Sequence, residues 1–136
     1  MEPVKNTEYV QNELVSIIMP AYNSVRFIEE SILSIQTQTY GNWELLIVDD
    51  CSTDDTVKRI EAMQKNDSRI KLFKLDKNSG AAKARNYALD KANGRFIAYL
   101  DSDDIWMPCK LERQVAFMTA NNYAFSCVDY EIISED

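Results

Sequence analysis

The 136 residues, 46% hydrophobic and 27% charged, suit one domain with a real core, and no stretch approaches the roughly 20 apolar residues of a membrane span. A formal net charge of −7 argues against general nucleic-acid binding, which depends on clustered Lys and Arg. Histidine is absent, which excludes His-dependent catalytic triads, so any catalytic base would be a carboxylate.

Residues 1–13 form a polar lead-in without the basic start and apolar centre of a secretory signal. The three cysteines, Cys51, Cys109 and Cys127, are widely spaced and include no Cys-x-x-Cys pair, a pattern typical of reduced thiols. We therefore expect a cytoplasmic protein whose folded domain occupies residues 14–136.

The first half of the chain predicts two strand-then-helix units. An apolar run at 14–19 that ends at Pro20 predicts a strand buried on both faces, and Ser24 is placed to cap the amphipathic helix that follows. A second apolar run at 43–48 predicts another strand. The segment 52–55 reads Ser-x-x-Asp, which predicts a capping box at the start of a second helix.

The second half continues the alternation. It predicts a strand at 70–75, an alanine-rich helix at 80–92, a strand at 96–100, a helix at 110–121 and an extended segment at 123–133. Strands that alternate with helices predict an α/β fold with a mainly parallel, right-handed, doubly wound sheet and helices on both faces. No capping element follows the last segment, so we expect the domain to be incomplete at its C-terminus.

Unusual polar residues follow each predicted strand. In an open parallel sheet, ligands bind beyond the carboxyl ends of the strands. Any one of these loops could be a simple turn or helix cap, but caps do not explain Asp49 and Asp50, which precede the cap. We expect four loops to meet at one rim: 20–23, 49–50, 76–80 and 101–104.

The segment 101–104 carries three carboxylates directly after a strand. Clustered carboxylates repel one another, and a hard cation such as Mg²⁺ or Mn²⁺ relieves that repulsion. The chain has three glycines and neither a Gly-x-Gly-x-x-Gly nor a Walker sequence. A diphosphate would therefore be neutralised by a metal on the acidic cluster, with help from Lys83 or Arg85.

Four segments together resemble the family 2 glycosyltransferases, which have the Rossmann-like GT-A fold. They are VSIIMPAYN at 15–23, ELLIVDD at 44–50, NSGAAKARN at 78–86 and AYLDSDD at 98–104. The likeness covers about residues 14 to 130, and the four motifs occur in the family's order, which makes it far more specific than any one motif.

This resemblance implies contacts to a UDP-sugar. Asp50 would accept a hydrogen bond from the base, Gly80 would permit close backbone approach, and Lys83 and Arg85 would lie near the nucleotide. Arg85 could instead be an ion-pair partner on the helix surface. Asp49 would be buried and structural. The implied contacts in the first loop, to the uracil and ribose, are Pro20, Ala21, Tyr22 and Asn23.

Asp101 and Asp103 match the DXD motif of that family, with Ser102 between them as a further substrate contact. The resemblance implies that Asp103 reaches the Mg²⁺ or Mn²⁺ bound to the diphosphate, while Asp101 contacts ribose or a metal-bound water. The metal would stabilise the UDP leaving group as a Lewis acid. Asp104 would cap the turn, and Trp106 would pack either in the core or beside the sugar.

Similar family members invert the anomeric centre, using a carboxylate to deprotonate the acceptor hydroxyl. That base would lie beyond Asp136, since the pair at 135–136 comes too early. The implied acceptor is a saccharide or a lipid-linked sugar in bacterial surface polysaccharide synthesis. The site would lie at the inner face of the cytoplasmic membrane, with peripheral association and no transmembrane segment. The chain would be the donor-binding part, inactive or weakly active by itself.

Two other functions remain open. One is a non-catalytic module that binds a UDP-sugar without turnover. The other is a sugar-phosphate nucleotidylyltransferase, which normally has a Gly-rich, basic loop after its first strand. The sequence at 20–23 is neither Gly-rich nor basic.

Overall fold

The computed structural model describes residues 12–134, so most of the predicted lead-in lies outside the described residues. Strands and helices alternate along the chain as the sequence predicts. They are β1 (Val15–Ala21), α1 (Ile28–Gln36), β2 (Trp43–Asp49), α2 (Thr56–Gln64), β3 (Ile70–Lys74), α3 (Ala81–Lys91), β4 (Phe96–Tyr99) and α4 (Lys110–Asn121).

The four strands form one parallel sheet in the order β3-β2-β1-β4. Helices cover both faces, because successive strand side chains point to opposite sides. On one face, Ile17 and Met19 pack with residues of α1, α2 and α4; on the other, Ile18 packs with Ala84 and Ala88 of α3. The predicted α/β fold with a parallel, doubly wound sheet is confirmed.

β1 runs through Pro20 instead of ending before it. Proline lacks a backbone N–H and so normally interrupts a ladder. Here Ile18 accepts a hydrogen bond from Leu100 on the β4 side, whereas Ala21 accepts one from Asp50 on the β2 side. Backbone groups of successive strand residues point to opposite sides, so the nitrogen of Pro20 faces the β4 side. The pairing with β4 has already ended at Tyr99, so no ladder hydrogen bond is lost.

The two predicted helix caps are wrong. α1 begins at Ile28, and the Ser24 carbonyl, not its side chain, accepts the N–H groups of Phe27 and Ile28. α2 begins at Thr56, whose N–H donates to the Asp54 carboxylate at 3.0 Å. The Ser52 hydroxyl instead donates to Asp49. The Ser24 hydroxyl likewise contacts Ser102 after β4 instead of the helix N-terminus.

The helix predicted at 110–121 has those bounds, and Asn122 ends it in the left-handed conformation. The extended segment predicted at 123–133 forms no strand within the described residues. Its aromatic and β-branched side chains favour strand structure, but they find no ladder partner and most are exposed. No helix in residues 12–134 has the length and hydropathy of a membrane span.

At the opposite end of the sheet, a buried carboxylate joins three strands. Glu44 accepts hydrogen bonds from Ser16 of β1, Lys71 of β3 and the backbone N–H of Asn93 before β4. Burial raises its pKa, but these donors outweigh burial and lower the pKa to about 2. This network fixes the strand register from which the loops at the carboxyl ends project.

Candidate functional site

A cavity of about 400 Å³ opens at the carboxyl ends of the strands. All four loops expected at this rim contribute to it. Most predicted site residues line the cavity: Pro20, Ala21, Tyr22, Asp50, Gly80, Arg85, Asp101, Ser102 and Asp103. Asn23 and Lys83 do not line it. Sequence reasoning missed Ser24, Asn78 and Ala81, which do.

Asp50 organises the loop between β3 and α3. Its side chain is buried, and its carboxylate oxygens accept the backbone N–H groups of Ser79 at 2.6 Å and Gly80 at 2.8 Å. Gly80 has φ of 90°, a conformation in which other residues are strained. A carboxylate offers about four acceptor positions, so Asp50 retains capacity for a ligand.

Asn23 joins the first loop to the second instead of facing the cavity. Its side-chain oxygen accepts the N–H of Thr53 at 2.8 Å, and its own N–H donates to the Ser52 hydroxyl at 2.9 Å. Asp49 is buried and accepts the N–H of Ser52, in agreement with a structural role. Asn23 and Asp49 thus stabilise the loops of the rim without lining the cavity.

The acidic segment 101–104 is a tight turn, closed by a hydrogen bond from the N–H of Asp104 to the carbonyl of Asp101. Asp101 also forms an ion pair with Arg85 of α3 at 2.7 Å. Arg85 is therefore an ion-pair partner, as one interpretation predicted, and it also lines the cavity; its place near a nucleotide stays a prediction. Lys83 is exposed on another face of the same helix.

Asp103 is exposed at the cavity wall, and its carboxylate has no hydrogen-bond partner within residues 12–134. Within the same residues the side chain of Asp104 accepts no hydrogen bond, so the predicted turn cap is not observed. Burial raises the pKa of Asp104, and the neighbouring charges of Asp103 and Asp101 raise it further. The turn therefore carries acidic charge that only Arg85 offsets among the described side chains.

This donor set fits a hard divalent cation, which prefers carboxylate oxygens. However, the described residues include no group of three Asp, Glu, Cys or His side chains arranged to hold a metal without other ligands. A cation here would need further oxygens, and those of a diphosphate in the cavity are suitable. The carboxylates of the acidic turn would thus supply only part of a cation's oxygen ligands.

Trp106 belongs to the core. Its ring is buried with residues of α1 and α4, and Lys110 lies over the ring at 4.4 Å. The backbone N–H of Trp106 donates to the Ser34 hydroxyl. Of the two positions left open by the sequence, the structure shows the core position.

Comparison with known proteins gives a consistent result. Residues 16–136 match the family model described as glycosyl transferase family 2. The chain is 54% identical over 123 residues to WfgD of Escherichia coli, a UDP-Glc:alpha-D-GlcNAc-diphosphoundecaprenol beta-1,3-glucosyltransferase, with 90% of this chain and 48% of WfgD covered. The chain spans about half the length of the curated relatives it matches.

Two solved structures share the fold. S. aureus TarS 1-349 in complex with UDP-GlcNAc aligns with a TM-score of 0.75 and 37% identity, covering 79% of this chain and 32% of TarS. The mannosyltransferase PcManGT from Pyrobaculum calidifontis, in complex with GDP-Man and Mn²⁺, aligns with a TM-score of 0.64 and 31% identity, covering 68% of this chain and 28% of that one.

Proposed function

The chain belongs to glycosyl transferase family 2, and we propose that it is the donor-binding part of an inverting, metal-dependent glycosyltransferase that uses a UDP-sugar. One observation carries the proposal. A single rim cavity combines a buried carboxylate that orders a loop, a cation on a helix and an acidic turn with a carboxylate that is unpaired within the described residues. UDP needs these three kinds of group.

The uracil and ribose occupy the side of the cavity formed by the first loop and Asp50. Tyr22 is half exposed there and offers an aromatic face, while Asp50 accepts a hydrogen bond from the base. The diphosphate lies toward α3, where Arg85 supplies fixed positive charge and planar donors. The TarS structure with UDP-GlcNAc supports this class of donor.

Asp103, with Asp101, would hold Mg²⁺ or Mn²⁺ when the diphosphate is bound. When bound, such a cation acts as a Lewis acid that stabilises negative charge on the departing UDP. The Mn²⁺ complex of PcManGT supports a metal in this fold. Within residues 12–134 the carboxylate of Asp103 has no hydrogen bond to give up, whereas that of Asp101 is paired to Arg85.

In the proposed reaction, an acceptor hydroxyl attacks the anomeric carbon opposite the leaving group. The new bond joins acceptor oxygen to carbon, the bond from carbon to phosphate oxygen breaks, and a carboxylate takes the hydroxyl proton. We expect that carboxylate outside the 136 residues. The pair at 135–136 lies outside the described residues and stays an unfavoured candidate.

The acceptor is a saccharide or a lipid-linked sugar in bacterial surface polysaccharide synthesis, by analogy with the name of WfgD. A lipid-linked acceptor places the reaction at the inner face of the cytoplasmic membrane, with peripheral association. We expect the acceptor-binding residues to correspond to the part of the relatives that this chain does not cover.

Product release by the full-length protein tests the proposed class. With a UDP-sugar, Mn²⁺ and a lipid-linked sugar acceptor, the transferase releases UDP in proportion to glycoside formed. A sugar-phosphate nucleotidylyltransferase would instead release pyrophosphate from UTP and a sugar 1-phosphate. Tight UDP binding with neither product would identify a non-catalytic module and refute the transferase assignment.

A further inference from the structure

Two serine hydroxyls meet behind the acidic turn. The Oγ atoms of Ser24 and Ser102 lie 2.6 Å apart, both residues are only 8% exposed, and both line the cavity. Ser24 Oγ also lies 3.3 Å from the carbonyl oxygen of Tyr22, to which it donates. A hydroxyl has one proton, so Ser102 is the donor to Ser24 whenever Ser24 donates to Tyr22.

Ser24 is itself fixed from its other side. Its backbone N–H donates to the Thr56 hydroxyl at 2.8 Å, and the N–H of Thr56 donates to Asp54 at 3.0 Å. Thr56 is fully buried at the start of α2. Ser24 therefore connects the acidic turn to a rigid part of the fold.

Ser102 is the inward-facing residue of a turn whose carboxylates face outward. Asp101 and Asp103 on either side are exposed. The bond that closes the turn, from Asp104 to Asp101, sets its shape but not its position against β1. The ion pair from Arg85 is exposed, and such pairs contribute little. The contact with Ser24 is thus a buried side-chain tie at the turn itself, between the bonds from the backbone N–H of Leu100 to Ile18 and from that of Trp106 to Ser34 that hold its two flanks.

We propose that Ser24 is a positioning residue that, through Ser102, holds the acidic turn so that Asp103 meets the cation accompanying the diphosphate. The inference rests on the proposed function, because it assumes that UDP and a divalent cation bind together in this cavity. Ser24 does not contact the cation in this proposal. It reduces the rearrangement that Asp103 must undergo on binding.

The test compares UDP affinity with Mn²⁺ and with EDTA, by calorimetric titration, for the wild type and Ser24→Ala. Loss of one buried hydrogen bond that positions a ligand should reduce the enhancement by Mn²⁺ roughly three- to tenfold. Affinity in EDTA should stay within about twofold, since Asp103 acts through the cation. The double variant Ser24→Ala/Ser102→Ala should be no worse than either single variant.

Ser31→Ala is the matched control, since Ser31 is a buried serine of α1 whose hydroxyl has no partner within the described residues. It should leave the Mn²⁺ enhancement unchanged. If Ser24→Ala does not fold, Ser102→Ala removes the same contact and should reduce the Mn²⁺ enhancement by the same factor.

Three results would overturn the inference. An unchanged Mn²⁺ enhancement in Ser24→Ala would show that the contact does not position Asp103. An equal loss of affinity in EDTA would show that Ser24 contacts UDP directly or supports the whole cavity. A wild type that binds UDP without any Mn²⁺ enhancement would overturn both this inference and the metal role in the proposed function.

Discussion

Substitution of Arg85 should change the affinities for UDP and for Mn²⁺ in opposite directions. Its guanidinium lies 2.7 Å from Asp101 and lines the cavity, so it serves the proposed diphosphate and also neutralises part of the acidic turn. We expect Arg85→Gln to weaken UDP binding. We also expect it to strengthen binding of Mn²⁺ alone, because Asp101 is then released from its ion pair.

The structure sets the size of each effect. A charge-assisted hydrogen bond is worth about 1.5–3 kcal/mol, so UDP affinity should fall roughly 10- to 100-fold. The side chains of Arg85 and Asp101 are 38% and 50% exposed, and exposed pairs contribute about 0–1 kcal/mol. The affinity for Mn²⁺ alone should therefore rise by up to about fivefold, and the free energy of unfolding should change by less than about 1 kcal/mol.

Lys83→Gln is the control. It removes one positive charge from the same helix, but Lys83 does not line the cavity. At physiological salt its longer-range effect should be largely screened, so UDP affinity should fall less than about twofold. Calorimetry measures UDP binding, and electron paramagnetic resonance measures free Mn²⁺. Equal effects of the two variants would mean that only net charge matters, and an unaffected Arg85→Gln would leave Arg85 as a surface ion-pair partner.

Three further predictions concern the rim and its support. Asp50→Asn should cost about 1–3 kcal/mol in the free energy of unfolding, since a backbone donor of Ser79 or Gly80 loses its acceptor. It should also abolish UDP binding. Urea unfolding and calorimetry measure the two effects, and the control Asp76→Asn, at an exposed residue, should match the wild type. The pKa of Glu44 is lowered from 4.5 to about 2, so its stabilisation, about 3 kcal/mol, is fully present above pH 4.5 and is lost as the pH falls toward 2. Glu44→Gln should remove that pH dependence, and an unchanged acid profile would contradict the network. Gly94→Ala should lower the free energy of unfolding by about 1–3 kcal/mol, because a Cβ would lie 2.5 Å from the backbone N of Ser16. The control is Gly41→Ala, whose Cβ would meet nothing within 4 Å, and urea unfolding should show it to be neutral.

The periodicity of the apolar residues predicted the elements and the sheet well, because burial in this fold follows local pattern. It failed where other partners competed with the helix N-termini. Ser24 and Ser52 have the residue type and spacing of helix caps, yet the Ser24 hydroxyl bonds to Ser102 and the Ser52 hydroxyl bonds to Asp49. Ser102 is 78 residues from Ser24, beyond the reach of any local pattern, whereas Asp49 is 3 residues before Ser52 and competes locally for its hydroxyl.

Segment 123–133 failed for a different reason. Strand propensity measures how well side chains suit a pleated surface, but a strand also needs a partner. None of the strands within residues 12–134 pairs with this segment. Its composition predicted an extended chain, and the pairing could not be read from the same residues.

The site was predicted at the level of loops, since acidic residues at the carboxyl ends of parallel strands converge. To predict which side chains of α3 reach the cavity, the helical spacing must also be used. Ala81, Ala84, Arg85 and Ala88 follow the spacing of one helical stripe. Ala84 and Ala88 are buried, while Ala81 and Arg85 line the cavity. Lys83 lies off this stripe, so helical spacing alone would have favoured Arg85 over Lys83.

Metal-linked UDP binding tests the central claim most directly. We would titrate UDP into the wild type, Asp103→Asn and the control Asp90→Asn, each with Mn²⁺ and with EDTA; Asp90 is exposed on α3 and does not line the cavity. The account predicts at least about tenfold tighter binding with Mn²⁺ in the wild type and in Asp90→Asn, and little enhancement in Asp103→Asn. Equal UDP affinity in all three proteins, with and without Mn²⁺, would contradict it.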